Sequence, residues 1–247
     1  MSVIKSTAAG LHQFHRSAPM PCPYLADKVE RKLFTRLGGE DSAQLNSLLT
    51  RAGFRRSHDV LYRPVCAGCD ACVPVRIPVD RFSPSRSMRR CIAANGDLSA
   101  AERPARATEE LYRLFLAYEQ SRHADSDMAR MTAADFATMI EEGATAAILL
   151  EFRRDDGGLE GAILVDRLDD GYSAIYSFFD PSSPERGTGT FMILALAERA
   201  RERGLAHVYL GYWIEESRKM AYKARFRPLE ALTANGWRTL SPSESNA

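Results

Sequence analysis

Three observations in the amino-acid sequence predict an α+β protein built on a mixed sheet with flanking helices. Apolar runs at residues 145–152, 161–168 and 172–179 are separated by Asp155-Asp156-Gly157-Gly158 and Asp169-Asp170-Gly171, turn chemistry that makes a three-stranded antiparallel meander. A glycine segment then opens a helical pattern over about residues 188–203, closed by Gly204, and a further strand follows at 208–212. A right-handed crossover through that helix makes the last strand parallel to the meander. The first half, by contrast, reads as short strands and one helix around a cysteine cluster, a small α+β unit of its own.

In chain order, Val29, Arg31, Leu33, Thr35 and Leu37 alternate at period two and stop at Gly38-Gly39, which predicts a strand. Leu45, Leu48, Leu49 and Ala52 have helical spacing ahead of Gly53. Residues 60–62 form a short strand ending at Pro64. Val73, Val75, Ile77 and Val79 alternate with Pro74, Arg76 and Pro78, and the two prolines predict an edge or irregular strand. Residues 92–143 read mainly as helical, with Leu111, Leu114, Phe115 and Tyr118 on one face and Phe136, Met139 and Ile140 on another. One helix starts at Thr108, with Glu109 and Glu110 placed as the helix dipole favours. Ser217 is read as the N-cap of a last helix burying Met220, Ala221 and Ala224. Together these patterns divide the chain into an N-terminal cysteine-containing unit (1–95), a C-terminal unit (96–240) and a flexible tail (241–247).

The chain has 247 residues, 45% hydrophobic and 26% charged, enough for a substantial core and inconsistent with disorder or a disulfide scaffold. It contains no apolar run of membrane-spanning length, and the first 17 residues lack the apolar stretch of a secretory signal. Five cysteines without an export signal point to a reducing, cytoplasmic setting and to thiols or a metal site rather than disulfides. The net charge of +1 conceals an uneven distribution: residues 51–91 carry nine Arg against three Asp, and residues 92–170 carry 17 acidic against eight basic side chains. An arginine-only basic stretch suits phosphates or carboxylates, or is a solvated face balanced by the acidic middle.

Three places in the chain can carry chemistry. Arg186-Gly187-Thr188-Gly189-Thr190 lies between a strand and a helix, where free N–H groups and the helix dipole form an anion site, or a plain turn. The segment from Tyr212 and Trp213 through Ser217, Lys219, Tyr222 and Lys223 gathers polar aromatics and cations at a strand end, either for a ligand or as aromatic core with outward lysines. Cys66, Cys69 and Cys72, with Cys22 or Cys91 as a fourth thiolate, suit tetrahedral zinc or an iron–sulfur cluster, or are buried reduced thiols. The five histidines share no motif spacing, and no Gly-x-Ser-x-Gly is present, so neither a histidine metal site nor a serine triad is expected.

Several segments, in order, resemble the bacterial aminoacyl-tRNA–protein transferases, in particular the aspartate/glutamate leucyltransferase branch related to arginyltransferases. They are Cys22-Pro23-Tyr24-Leu25, Gly53-Phe54-Arg55-Arg56-Ser57, Leu61-Tyr62-Arg63-Pro64, the Cys66 to Arg76 stretch, Ser85-Arg86-Ser87-Met88-Arg89-Arg90, Tyr176-Ser177-Phe178-Phe179-Asp180-Pro181, and Tyr209 to Ile214 running on through Lys219–Lys223 to Glu230. They span about residues 20–230. Two segments depart from the family pattern: Cys91-Ile92-Ala93-Ala94 stands where more basic residues usually follow, and Arg186-Gly187-Thr188-Gly189 replaces Arg-Ser-Leu-Gly.

The resemblance implies a GNAT-like acyltransferase fold in the C-terminal half. The implied activity moves an aminoacyl group, leucine for this branch, from charged tRNA to the α-amine of proteins beginning with Asp or Glu and so marks them for degradation. No cofactor is needed for that transfer. An acyl-CoA-dependent N-acetyltransferase and a non-catalytic RNA-binding module are the competing readings. In the transferase reading Asp180 is the proton acceptor and Tyr212 or Tyr222 the donor to the oxyanion. Arg76, Lys219 or Arg186 receives the acceptor's carboxylate. Arg86, Arg89, Arg90, Gly187, Gly189, Thr190, Trp213, Ser217 and Lys223 complete the tRNA and substrate contacts.

Overall fold

A computed structural model describes residues 12–143 and 147–240, so Thr145 and the tail at 241–247 lie outside the described residues. The chain runs β1 (His15–Arg16), β2 (Met20–Pro21), β3 (Val29–Glu30), β4 (Lys32–Arg36), α1 (Ser42–Arg51), β5 (Arg55–Ser57), β6 (Val60–Pro64), β7 (Val73–Pro78), α2 (Arg86–Ala94) and β8 (Leu98–Pro104). It continues with α3 (Glu109–Arg122), α4 (Ala133–Glu141), β9 (Ala147–Arg154), β10 (Leu159–Arg167), β11 (Gly171–Phe179), α5 (Thr188–Glu202), β12 (His207–Trp213), β13 (Glu230–Thr233) and β14 (Gly236–Thr239). The meander and the α5 crossover are as the periodicity predicts. Thr108 does cap α3, its Oγ1 accepting the Leu111 N–H at 3.2 Å.

A four-stranded sheet, β1-β4-β6-β5, forms the N-terminal unit around Leu37, Leu45, Leu49 and Leu61. The large sheet has eight strands in the order β14-β13-β7-β12-β11-β10-β9-β8. Its one parallel pair is β11 with β12; the other pairings are antiparallel. Helices α2 and α5 cover one face, over Ile163, Val165, Met192, Leu196 and Val208. On the other face α3 and α4 bury Leu111, Phe115, Phe136 and Phe178, with Phe115 and Phe178 edge to face at 5.7 Å. The antiparallel strands, crossover helix and parallel strand make the mixed sheet with flanking helices that the sequence predicts.

Three expectations need correction. Strand β7 lies inside the large sheet, between β13 and β12, and not at an edge. The Val79 N–H donates to Ala206 O, so the odd-numbered residues of β7 face β12. The nitrogens of Pro74 and Pro78 therefore face β13, which pairs with β7 only at Arg76 and Val75. A missing donor costs nothing where no partner strand runs. This placement also moves the domain division: β7 and α2, which packs on α5, belong to the large sheet, so a boundary at 95 cuts through one core. Within 92–143, residues 98–104 are strand β8, an edge partner of β9, and not helix. Pairing along its length with β9 outweighs the alanine-rich local composition there.

Candidate functional site

Strands β11 and β12 pair only through Gly171–His207, Tyr172–Val208 and Ser173–Tyr209. Beyond Ser173 they part, although β11 runs on to Phe179 and β12 to Trp213. Parting frees backbone carbonyls that a sheet would otherwise satisfy. Arg55 of β5 enters this wedge from the N-terminal unit, and its guanidinium donates to Ile175 O at 2.5 Å and to Leu210 O at 3.5 Å. Gly211 makes room for it: its φ is +72°, and a Cβ there would stand 1.7 Å from Arg55 Nη1.

The neighbours of Arg55 are titratable groups. Lys223 is buried, its Nζ donating to Tyr212 O at 2.5 Å. Burial, and then the adjacent Arg55 charge, hold its pKa well below the usual lysine range. Tyr222 has an exposed ring, but burial of its hydroxyl end raises its pKa against the pull of Arg55. The Tyr118 phenol is pushed up to about 12, first by burial and then by Glu119, with Tyr222 adding to the effect. Glu119 is fully buried; its carboxylate accepts from the Tyr176 hydroxyl and from Ser126 Oγ at 3.2 Å. The sequence reading did not single out Arg55, Tyr118, Glu119 or Tyr176 as site residues, although Arg55 and Tyr176 stand inside segments that carry the resemblance.

The expected catalytic residues separate. The Tyr212 hydroxyl is buried 2.9 Å from Gly53 O and 3.0 Å from Tyr62 O, so it ties the large sheet to the N-terminal unit and has no proton left for an oxyanion. Tyr222 makes no hydrogen bond among the described residues and remains the available donor. Asp180 follows β11, and its Oδ1 accepts the Ser182 N–H at 2.8 Å. No hydrogen bond or ion pair joins it to Tyr212 or Tyr222 among the described residues.

The expected cations divide in the same way. Arg76 pairs with Glu230 at 2.8 Å, donates to Tyr209 Oη at 3.1 Å and lies 4.3 Å over the Trp237 ring, so an acceptor carboxylate would have to displace a complete network. Arg186 is paired with Asp97, while its Nε is buried without a partner. Lys219 is exposed and Lys223 buried, so the two do not share an anion. Ser217 is buried and caps no helix through its side chain; only a short 3₁₀ turn, Ala221–Arg225, follows it. Trp213 is buried at the end of β12 with its Nε1 unpartnered.

The glycine segment does start a helix. Gly187, at φ +65°, is the N-cap of α5 and offers no capping side chain. Thr188, 2% exposed, has a hydroxyl with no partner among the described residues. Gly189 packs against the Phe179 ring, and the Thr190 N–H donates back to Gly187 O. Helix α2 lies alongside, its Cys91 Sγ 3.3 Å from Gly187 O, and carries Arg86, Arg89 and Arg90 on an exposed face. Of these, Arg89 donates to Pro84 O, while Arg86 and Arg90 have no acidic partner among the described residues.

Cys91 is thus spent on α5, which leaves Cys22 as the fourth member of the cysteine cluster. Burial, and then the charges of Cys22, Cys66 and Cys69, push the Cys72 thiol up to about 12. Four soft donors in mutual electrostatic reach have the chemistry of a tetrathiolate site. Their spacing does not: among the described residues no three His, Cys, Asp or Glu side chains stand in metal-holding geometry. No helix among the described residues is long and apolar enough to cross a membrane.

Known proteins share this arrangement of segments. Residues 20–90 match the profile described as arginine-tRNA-protein transferase, N terminus, and residues 110–233 the one described as its C terminus. An aspartate/glutamate leucyltransferase of Paramagnetospirillum magneticum is 51% identical over 94% of this chain and 96% of its own length. One of Parvibaculum lavamentivorans is 53% identical over 92% of this chain and 94% of its own. Among solved structures, FemX aligns with a TM-score of 0.44 and 10% identity over 81% of this chain and 79% of its own. With both halves matched and half the residues shared over nearly full length, the chain belongs to the arginine-tRNA-protein transferase family and groups within it with the aspartate/glutamate leucyltransferases.

Proposed function

We propose that this protein transfers leucine from leucyl-tRNA to the α-amine of proteins whose first residue is Asp or Glu, in the cytoplasm, as a step that marks them for degradation. The observation that carries this reading is the wedge between β11 and β12, opened and lined by Arg55, with the uncapped N-terminus of α5 and the free arginines of α2 nearby. The wedge receives the aminoacyl end. Unpartnered Thr188 Oγ1, Arg186 Nε and the first-turn amides of α5 suit the phosphates behind it, and Arg86 and Arg90 extend the same field.

The aminoacyl ester is already activated, so the reaction needs positioning and one proton transfer. The acceptor nitrogen attacks the ester carbonyl carbon, an amide C–N bond forms, the C–O bond to the tRNA ribose breaks, and the ribose oxygen leaves as a hydroxyl. Tyr222 donates to the developing oxyanion, since Tyr212 is committed elsewhere. Asp180 keeps Oδ2 free of hydrogen bonds from the described residues, takes the proton that the amine loses and passes it to the departing ribose oxygen. An Asp180→Asn protein with unchanged turnover would remove that role. No step runs through a metal. The cysteine quartet stands as a candidate thiolate site whose occupancy metal analysis of anaerobically purified protein decides.

The deciding experiment incubates the purified protein with labelled leucyl-tRNA, arginyl-tRNA or acetyl-CoA and peptides beginning with Asp, Glu or Ala. Leucine transfer to the Asp and Glu peptides alone is the expected result. Arginine transfer keeps the mechanism and changes the donor, and acetyl transfer alone overturns the reading.

A further inference from the structure

A groove of about 740 Å³ opens between the Cys66 to Cys72 loop and the β13–β14 hairpin, with Arg63 and Arg238 at its rim and Trp213 and Glu215 among its walls. Two of its wall residues hold polar atoms without partners. Among the described residues, the Nε1–H of Trp213, a side chain 5% exposed, has no acceptor and the buried Glu215 Oε1 has no donor. Leaving such groups unpaired costs about 1–3 kcal/mol each, a cost that a ligand bound in the groove would offset.

We propose that this groove seats the first residue of the acceptor protein. The proposal rests on the aminoacyltransferase reading above and assigns its second substrate. An unblocked N-terminal Asp or Glu presents a cationic α-ammonium, a carbonyl oxygen and a side-chain carboxylate. The groove offers a matching group for each: the Glu215 carboxylate, with Asp70 in the same lining, for the ammonium; the Trp213 N–H for the carbonyl; and the Arg63 and Arg238 guanidiniums for the carboxylate. Arg63 spends one nitrogen on Ala52 O at 3.2 Å and keeps its others free. Of the cations considered from the sequence, Arg76 and Arg186 are less suited, because they already hold carboxylates of this chain.

The position is also right for transfer. Trp213 ends β12 and Glu215 follows in the turn, one and three residues past the Tyr212 carbonyl that Lys223 holds.

The test uses the full chain with leucyl-tRNA and peptides beginning with Asp, Asn or N-acetyl-Asp, together with Glu215→Gln and the double variant Arg63→Ala/Arg238→Ala. Glu215→Gln is expected to raise the KM for the Asp peptide about tenfold, with the KM for leucyl-tRNA and the melting temperature unchanged. The double variant is expected to narrow the preference for Asp over Asn. In parallel, the Asp peptide without tRNA should quench tryptophan emission, the acetylated peptide should not, and Trp213→Phe should abolish the signal. Unchanged acceptor KM and unchanged Asp/Asn preference in an active enzyme overturn the proposal. If the wild-type protein transfers nothing, the transferase reading fails, and the quenching arm alone decides the groove: peptide binding lost in Glu215→Gln upholds it, and no binding ends it.

Discussion

The Arg56 guanidinium and the Asp166 carboxylate form a two-pronged ion pair, Nε to Oδ2 at 2.7 Å and Nη2 to Oδ1 at 2.8 Å, with both side chains essentially buried. Arg56 comes from β5 of the N-terminal unit and Asp166 from β10 of the large sheet, so the pair fixes one against the other. Asn46 Nδ2 adds a third donor to Asp166 at 2.9 Å, and Arg56 Nη1 closes onto His58 O. Asp166→Ala leaves a buried guanidinium uncompensated and is expected to cost about 3–5 kcal/mol. A paired Arg56→Met/Asp166→Leu exchange should recover much of that loss. Denaturant melts of the three proteins check the order.

Arg55, one residue earlier, points to the other job of this strand, holding the wedge open. Gly211→Ala should disrupt it by two routes, a strained left-handed backbone and a Cβ on top of the guanidinium. The backbone part alone costs about 1 kcal/mol. Transfer should fall by more than the loss of stability accounts for, since Arg55 has to leave the Ile175 and Leu210 carbonyls. Arg55→Lys, which cannot reach both, should reproduce the activity loss with a smaller shift in melting temperature. Equal losses in both readouts for both variants would assign Arg55 to stability alone.

How far the sequence foretold this site depends on the kind of signal each residue leaves. The meander, α5 and the Thr108 cap are local, set by turn residues and periodicity, and they were legible. The position of β7 was not, because prolines report a missing donor but not which side of the strand it faces. The parting of β11 and β12 is likewise invisible, since both strands stay apolar past Ser173. Glu119 reads as one more acidic residue of an exposed helix until Tyr176, 57 residues on, is folded onto it. Arg55 and Tyr176 stand inside the segments that carry the resemblance, but their contacts with Leu210 and Glu119 join elements far apart in the chain.

The tRNA-facing surface can be tested by salt. Arg86 and Arg90 project from α2 with no acidic partner among the described residues, beside the uncapped end of α5. Replacing each with Glu should weaken leucyl-tRNA binding while leaving the melting temperature nearly unchanged. If each neutralises one phosphate, its loss lowers the slope of log affinity against log salt by about 0.7–0.9. Arg103, on the edge strand β8, serves as a control with no expected change in slope. An unchanged slope in both α2 variants would place the tRNA on another face.

Lys223 and the buried tyrosines bend the pH dependence of stability in opposite directions. The unfolded chain protonates Lys223 below about pH 10.4, whereas in the folded chain burial and Arg55 delay that protonation to a much lower pH. The unfolded state therefore binds the extra proton, and stability rises with pH from neutrality towards that value. Above about pH 10 the sign reverses, because unfolded tyrosines ionise while Tyr24 and Tyr118 hold their protons to about 12. The melting temperature should accordingly climb from pH 7 and then fall steeply in more alkaline solution. Lys223→Met removes the buried amine, so it should raise the melting temperature at pH 7 and flatten the climb, leaving the alkaline fall in place. Tyr118→Phe should soften that fall and leave the climb intact. A melting series on the three proteins between pH 6.5 and 11 separates the two contributions, and an unchanged climb in Lys223→Met would mean that the amine is charged in the folded protein.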